Sequence, residues 1–298
     1  MAVTMLEIYT RLHEVRFLPF EPEGPAGLEA QRERFESLAL PVPADAVIDE
    51  VAELPGLRIA VPESDAGRIV LYVHGGAYHL GSTRQFRGFG TDIARFTEAT
   101  LYSVEWRRAP EHHFPAPIDD TRNAYAWLLE QGHRPEQIAF VGDSSGGNAV
   151  LAALLSIREH GLPLPAAVVA MSAWTDLTNS VPSRESRVHR SPGVLPEVLS
   201  TYAPSYLGGA DPRDPLASPL FGDLAGLPPL LLQVGTEEIL YDDSALFVEA
   251  ARRAGVDATL ESGEGMPHVY PIYHANVPES RAAMENLGAF VREHTKTT

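Results

Sequence analysis

The chemistry of this chain centres on one serine, Ser144, which lies inside the five-residue pattern G-x-S-x-G at 142–146. A short apolar run at 138–141 precedes the pattern, and a run of good helix formers at 148–155 follows it. In a strand–turn–helix context, small residues around a serine permit a tight turn that exposes its hydroxyl on strained backbone. The pattern therefore predicts a nucleophilic serine, against the alternative of an ordinary Gly/Ser loop.

A serine hydroxyl is a weak nucleophile, so a base must take its proton and a carboxylate must orient that base. Five histidines follow Ser144 along the chain, at positions 160, 189, 268, 274 and 294. His268 lies in the loop after the last predicted strand, at the sheet edge where catalytic groups gather in open α/β sheets. His274, deeper in the segment that leads to the last helix, is the rival. We expect His268 to be the base.

The acid should follow the penultimate predicted strand, where four carboxylates lie within seven residues. Glu237 and Glu238 come directly after the strand. Asp242 and Asp243 precede an amphipathic helix, and acidic residues stabilise a helix N-terminus without any catalytic role. The residues alone therefore favour Glu237 or Glu238 and leave the choice between them open.

Attack of a serine on a carbonyl group also needs backbone N–H groups that bind the oxyanion, and one lost donor costs roughly 3–4 kcal/mol in comparable sites. The sequence H-G-G-A at 74–77 directly follows an apolar strand run at 69–73. Its paired glycines let the backbone approach a substrate closely. We expect the N–H groups of Gly75, Gly76 and Ser145 to form this oxyanion hole.

Strand and helix patterns alternate along most of the chain, which predicts an α/β fold with a mostly parallel sheet and helices on both faces. Two strand runs at 47–51 and 57–61 flank a Pro-Gly turn, so the sheet should begin with an antiparallel hairpin. Further predicted strands lie at 69–73, 99–106, 138–141, 167–172, 230–234 and 257–261.

Two regions break this alternation. Residues 1–45 carry two amphipathic segments, at 6–15 and 28–40, with prolines between and after them. Residues 174–224 carry seven prolines and one helical patch, and an insertion of this size after the serine would cover the substrate. We therefore expect four parts: 1–45 as the N-terminal part of a cap, 46–173 as the first part of the catalytic core, 174–224 as the cap insertion, and 225–298 as the second part of the core.

Composition restricts the possible partners and location. The chain has 23 Lys and Arg and 40 Asp and Glu, which gives a net charge of −17. Such a negative charge argues against nucleic acid or an anionic membrane as a partner. The chain has no cysteine, which excludes disulfides, thiolate metal sites and a cysteine nucleophile. We expect no signal peptide, no membrane span and no cofactor or metal, and hence a soluble cytoplasmic protein.

Several longer motifs occur in a fixed order, and together they are specific. They are H-G-G-A at 74–77, W-R-R-A-P-E-H at 106–112, F-P-A-P-I-D-D at 114–120, G-D-S-S-G-G at 142–147, and S-P-L at 218–220 ahead of L-P-P at 227–229. The chain from Ile69 onward resembles the hormone-sensitive lipase family, the bacterial H-G-G-G carboxylesterases among the α/β-hydrolases. The resemblance implies an α/β-hydrolase fold with an eight-stranded, mostly parallel sheet, flanking helices and a small helical cap.

The resemblance also assigns site residues. The family's acid motif D-P-L-x-D corresponds to E-I-L-Y-D at 238–242, which implies Glu238 as the acid and a structural role for Asp242. His268 carries over as the base. Ala77 stands where the family has a third glycine. We expect this difference to be tolerated, because only the first two glycines need to donate N–H groups. Asp143 belongs to the motif, but the sequence offers no physical account of its role.

The implied activity is hydrolysis of short- to medium-chain acyl esters through an acyl-enzyme, without cofactor or metal. An amidase or peptidase of the same fold is the alternative, and a non-catalytic receptor, as in plant gibberellin receptors, is disfavoured because His268 is present. Tyr78, Trp174 and Tyr202 are candidates for lining the substrate pocket, with core packing as the other interpretation. The expected binding partner is then a small-molecule ester. Because members of the family commonly dimerise through the edge strand, the resemblance also implies a homodimer through the strand near 257–261.

Overall fold

The computed structural model describes residues 25–194 and 196–297. The helix predicted at 6–15 lies outside these residues. None of the helices within the described ranges is both long and apolar enough to cross a bilayer.

The described residues contain one sheet of eight strands in the order β1-β2-β4-β3-β5-β6-β7-β8. β1 and β2 form an antiparallel hairpin, β2 pairs antiparallel with β4, and all other neighbours are parallel. The predicted eight-stranded, mostly parallel sheet is confirmed. The strands are β1 Val47–Glu50, β2 Gly56–Ala60, β3 Asp65–Val73, β4 Ala99–Val104, β5 Ile138–Asp143, β6 Ala167–Met171, β7 Leu230–Gly235 and β8 Ala258–Gly263.

Helices cover both faces of this sheet. Side chains alternate across each strand, so Leu71 and Phe140 belong to one apolar cluster while their neighbours Val70 and Val141 belong to the other. Such two-sided burial explains why the central strands are continuous apolar runs. The helices are α1 Pro25–Glu36, α2 Thr83–Thr97, α3 Ala116–Glu130, α4 Ser145–Glu159, α5 Ser183–Ser186, α6 Pro196–Leu207, α7 Tyr241–Arg253 and α8 Pro278–His294.

The two faces carry different helices. The cluster of Leu71 includes buried side chains of α3, α4 and α7. The cluster of Val70 includes buried side chains of α2 and α8. α2 has no counterpart among the predicted elements, because Gly88 and Gly90 weaken the local helix preference. Close packing explains these glycines: a Cβ at Gly88 would lie 2.5 Å from the Leu40 carbonyl oxygen.

α1 and α6 lie in the two regions that interrupt the alternation, and they contact each other. The Tyr202 hydroxyl of α6 donates a hydrogen bond to the Gln31 carboxamide of α1. Arg32 of α1 donates to Glu111 at 2.7 Å and to the carbonyl oxygen of Ala109 at 3.0 Å. These contacts fix α1 on the core. The division into two core parts and two cap parts stays a prediction.

Candidate active site

Ser144 occupies the turn between β5 and α4, with φ 54° and ψ −120°. This is strained backbone for a residue with a side chain, and its surroundings hold it there. A Cβ on Gly142 would lie 2.4 Å from the Gly146 carbonyl oxygen, and one on Gly146 would lie 2.0 Å from that of Val73. The glycines of the motif are therefore required by the close approach of backbone to backbone.

Three side chains from the carboxyl edge of the sheet form a hydrogen-bonded chain. His268, in the loop after β8, places Nε2 3.0 Å from Ser144 Oγ and Nδ1 2.6 Å from Glu238 Oε2. Glu238, after β7, is fully buried. Because a carboxylate can only accept, Nδ1 carries the ring proton and Nε2 is free to accept the serine proton. The structure thus brings together the serine, histidine and acid predicted from the sequence.

The Glu238 carboxylate is held by two further donors. Its Oε1 accepts the Gly235 N–H at 2.7 Å and the Ser172 hydroxyl at 2.8 Å. The Ser172 oxygen in turn accepts the Val269 N–H at 2.9 Å. Ser172 therefore joins the acid to the loop that carries His268. Sequence reasoning missed it, although a serine directly after an apolar strand at this sheet edge is a usable signal.

The rival acids are engaged elsewhere. Glu237 forms an ion pair with Arg190 and accepts its Nε–H at 2.7 Å. Asp242 is half-exposed in the first turn of α7, and its backbone N–H donates to the Ser183 hydroxyl at 3.1 Å. This placement agrees with a structural role for Asp242 at the helix terminus.

Asp243 and His274 also have other partners. Asp243 was expected to be a simple helix-terminus residue, but it is fully buried and forms an ion pair with Arg184 at 2.7 Å. Burial raises the pKa of its carboxyl to about 6, against the attraction of Arg184. The imidazole of His274 lies 3.0 Å from the Asp92 carboxylate on α2. Neither belongs to the chain that ends at Ser144.

In the glycine loop after β3, the predicted oxyanion donor Gly75 lies against the Asp143 carboxylate. Hydrogen bonding from the Gly75 N–H is among the influences that lower the pKa of this carboxyl. A Cβ at Gly75 would lie 2.4 Å from Asp143 Oδ2, which explains why a glycine stands there. Within the described ranges, the N–H groups of Gly76, Ala77 and Ser145 have no protein acceptor.

Asp143 thereby acquires a physical role. Its carboxyl is 3% exposed, and Oδ1 accepts the Tyr72 hydroxyl at 2.7 Å. Burial raises its pKa to about 6, although the Tyr72 hydroxyl, the Gly75 N–H and His268 each act to lower it. Asp143, the residue before Ser144, thus joins the end of β5 to strand β3 and the glycine loop that follows it.

His74 locks the start of the same loop. Its ring is fully buried and stacks on Phe86 at 5.0 Å between centroids. Burial lowers its pKa to about 4, so the ring is neutral and Nδ1–H donates to the Gly75 carbonyl at 2.8 Å. Trp106 donates its indole N–H to the His74 carbonyl at 3.2 Å. These contacts explain the histidine of H-G-G-A and the tryptophan of the next motif.

A cavity opens beside Ser144 and His268, with about 800 Å³ of empty space including its mouth. Its walls are mainly apolar and come from four places: α1 with the segment after it, helix α2, the loop before α6 and the loop after β8. Described residues that line it away from the serine are Phe35, Leu38, Leu40, Gln85, Phe86, Phe89, Pro192, Gly193, Val194, Val269, Ile272 and Tyr273.

The three aromatic residues proposed from the sequence do not line this cavity. Tyr78 is buried, donates to Asn148 Oδ1 at 2.7 Å and stacks on Tyr206 at 3.8 Å. Trp174 is buried and donates to a backbone carbonyl at 3.0 Å. Tyr202 is buried at the contact with α1. For all three, core packing is the correct interpretation.

Comparison with known proteins agrees with this geometry. A family model described as the alpha/beta hydrolase fold matches residues 70–272. The chain is 42% identical over 290 residues to an acetyl-hydrolase from Streptomyces hygroscopicus, covering 97% of this chain and 94% of that protein. It is 36% identical over 229 residues to an esterase from Acinetobacter venetianus, covering 76% of each.

Solved structures show the same similarity. The esterase EstE5, soaked with p-nitrophenyl butyrate, superposes with a TM-score of 0.91 at 37% identity, covering 97% of this chain and 98% of that one. An esterase described as from the bacterial hormone-sensitive lipase family has a TM-score of 0.92 at 37% identity, covering 99% of this chain and 100% of that one.

The sheet, the strained serine turn and the hydrogen-bonded histidine define an α/β-hydrolase. The chain belongs to the hormone-sensitive lipase family of these hydrolases, as the motifs predicted. It is an ester hydrolase of the carboxylesterase type.

Proposed function

We propose that Ser144 is the nucleophile, His268 the general base and Glu238 the orienting acid of an enzyme that cleaves short- to medium-chain acyl esters. The observation that carries this is the unbroken hydrogen-bond chain from Ser144 Oγ through His268 to the buried Glu238. The carboxylate keeps the ring in the tautomer whose Nε2 accepts a proton, and it stabilises the imidazolium that forms.

The reaction proceeds in two similar halves. His268 takes the Ser144 proton as Oγ attacks the ester carbonyl, and the same proton then goes to the departing alcohol. Water attacks the resulting acyl-enzyme, with His268 again as base. The oxyanion of each tetrahedral intermediate is bound by the N–H groups of Gly76 and Ser145, joined by that of Ala77. No cofactor or metal enters this scheme.

The substrate is a small ester. Support comes from the cavity, whose mainly apolar wall suits a hydrocarbon chain. Two relatives point to short acyl groups: one is named an acetyl-hydrolase, and EstE5 was soaked with p-nitrophenyl butyrate.

The test compares p-nitrophenyl esters from acetate to palmitate, together with the matching acyl anilides. We expect the highest kcat/KM at the short end and only trace turnover of the anilides. Ser144→Ala should lose several orders of magnitude in kcat, and a fluorophosphonate probe should label the wild type at Ser144 only. Retention of turnover in Ser144→Ala would overturn the nucleophile assignment, and a higher anilide rate would make the enzyme an amidase.

We further propose that two copies associate through β8 and that the protein works in the cytoplasm. β8 is the last strand in the sheet order, so one of its edges has no neighbour among the described strands. The absence of cysteine fits a reducing compartment. Light scattering across a concentration series tests the first point, and a monomer mass throughout would refute it.

A further inference from the structure

One polar side chain in the wall of the cavity has no role in the scheme above. Gln85 lies in the first turn of α2 and lines the cavity together with Phe86 and Phe89. It is 5% exposed, and its side-chain Oε1 has no hydrogen-bond partner. Its backbone N–H is satisfied by the hydroxyl of Ser82 at 3.1 Å, so the helix cap does not need the carboxamide.

A buried carboxamide oxygen without a partner is unusual in a folded protein. Native structures pair most buried polar groups, because an unpaired group loses its hydration without compensation. A methionine or leucine would fill the same space without this cost. Gln85 and Ser144 line the same cavity, so a ligand bound there can supply the missing partner.

We propose that Gln85 determines substrate specificity by hydrogen-bonding a second polar group of the ester, away from the scissile carbonyl. This inference rests on the proposed function. The terminal amide torsion of glutamine is soft, so either the oxygen or the NH₂ edge can turn toward the ligand. The best complement to such a group is one that both donates and accepts, which means a hydroxyl or an amide.

The surroundings restrict that group further. No lysine or arginine is among the described residues that line the cavity, and the chain carries a net charge of −17. A carboxylate or phosphate on the substrate would find no counter-charge there. The substrate class is therefore an uncharged ester, hydrocarbon for most of its length, that carries one hydroxyl or carboxamide.

The experiment uses matched pairs of esters that differ only in one hydroxyl. p-Nitrophenyl butyrate and p-nitrophenyl 3-hydroxybutyrate place it on the acyl side, while butyl acetate and 4-hydroxybutyl acetate place it on the alcohol side. The measured quantity is the ratio of kcat/KM within each pair, for wild type and for Gln85→Met. A site built to hydrogen-bond a hydroxyl discriminates against the analogue that lacks it. We expect the wild type to favour the hydroxyl-bearing member of one pair at least tenfold, and Gln85→Met to lose that preference.

Two further variants separate a binding role from a structural one. Gln85→Leu should lose the preference as Gln85→Met does, which guards against misfolding of either variant. Phe89→Leu, one turn further along the same cavity wall, should change both rates of a pair but leave their ratio intact. A wild-type ratio near one in both pairs, or a ratio that survives Gln85→Met, overturns the subsite while plain ester hydrolysis still supports the proposed function. If the enzyme hydrolyses none of the four esters, both the subsite and the proposed function are overturned.

Discussion

Replacing the acid by its amide gives the sharpest test of the site. In Glu238→Gln, the amide must choose which end faces His268. The other end meets the Gly235 N–H and the Ser172 hydroxyl, which lie 2.7 and 2.8 Å from Oε1. Ser172 already accepts the Val269 N–H, so its hydroxyl hydrogen is the one directed at Glu238. Two donors therefore require the amide oxygen on their side, and the NH₂ turns toward His268.

That orientation produces the wrong imidazole tautomer. An NH₂ group facing Nδ1 makes this nitrogen an acceptor and moves the ring proton to Nε2, which can then no longer take the proton of Ser144. The same change in Ser-His-Asp proteases lowers kcat about ten-thousandfold, which corresponds to roughly 5 kcal/mol of transition-state stabilisation. We expect a kcat loss of about 10³ to 10⁴ here, with KM nearly unchanged.

The assay is steady-state hydrolysis of p-nitrophenyl acetate, with thermal unfolding to show that the variant folds. Asp242→Asn is the matched control, because Asp242 is half-exposed and is connected to Ser183 through its backbone N–H. Its kcat should stay within about threefold of wild type. If the kcat of Glu238→Gln stays within tenfold of wild type, or if Asp242→Asn loses most of its kcat, the tautomer argument is refuted and the role of the acid passes to Asp242.

Three further predictions follow from neighbouring contacts. Ser172→Ala should lower kcat about tenfold without changing KM, because one hydrogen bond to the acid is lost; an unchanged kcat would contradict this role. Asp143→Asn should flatten the dependence of unfolding free energy on pH, measured by urea titration from pH 4 to pH 7. The folded pKa of about 6 exceeds the ordinary 3.8, so the folded state binds the proton more tightly and this group lowers stability as pH rises between the two values. Each pH unit between these values changes the unfolding free energy by about 1.4 kcal/mol, so wild type should lose on the order of 3 kcal/mol more than the variant across this range. Parallel plots of unfolding free energy against pH for the two proteins would refute this prediction. Arg32→Gln should raise KM severalfold with kcat retained, because Arg32 holds the α1 segment whose Phe35 lines the cavity. Hydrogen bonding to Arg32 lowers the pKa of Glu111 to about 2. The ion pair therefore contributes its full stabilisation above the ordinary pKa of 4.5 and loses it as pH falls toward 2. This contribution to stability is small because the Glu111 side chain is half-exposed.

Local patterns in the sequence were sufficient for much of the fold. All eight strands were expected, because each is a short apolar run or an alternating hairpin arm bounded by turn residues. Among the helices, α2 and the short α5 were not expected. The glycines of α2 lower its helix preference, while tertiary packing supplies its stability. The serine turn was predictable for the same reason as the strands, since its geometry depends on adjacent small residues.

The sequence by itself selected Ser144 and His268 and, through the family motif, Glu238, and the structure brings these three side chains together. These residues follow the parallel strands β5, β7 and β8, whose carboxyl ends must lie at one edge of the sheet. Only the tertiary structure decided that Gly75 lies against the Asp143 carboxylate, that Ser172 connects the acid to the histidine loop, and that Gln85 rather than Tyr78 lines the cavity. Each of these depends on the direction of a peptide plane or side chain, and that direction is set by packing between segments far apart in the chain.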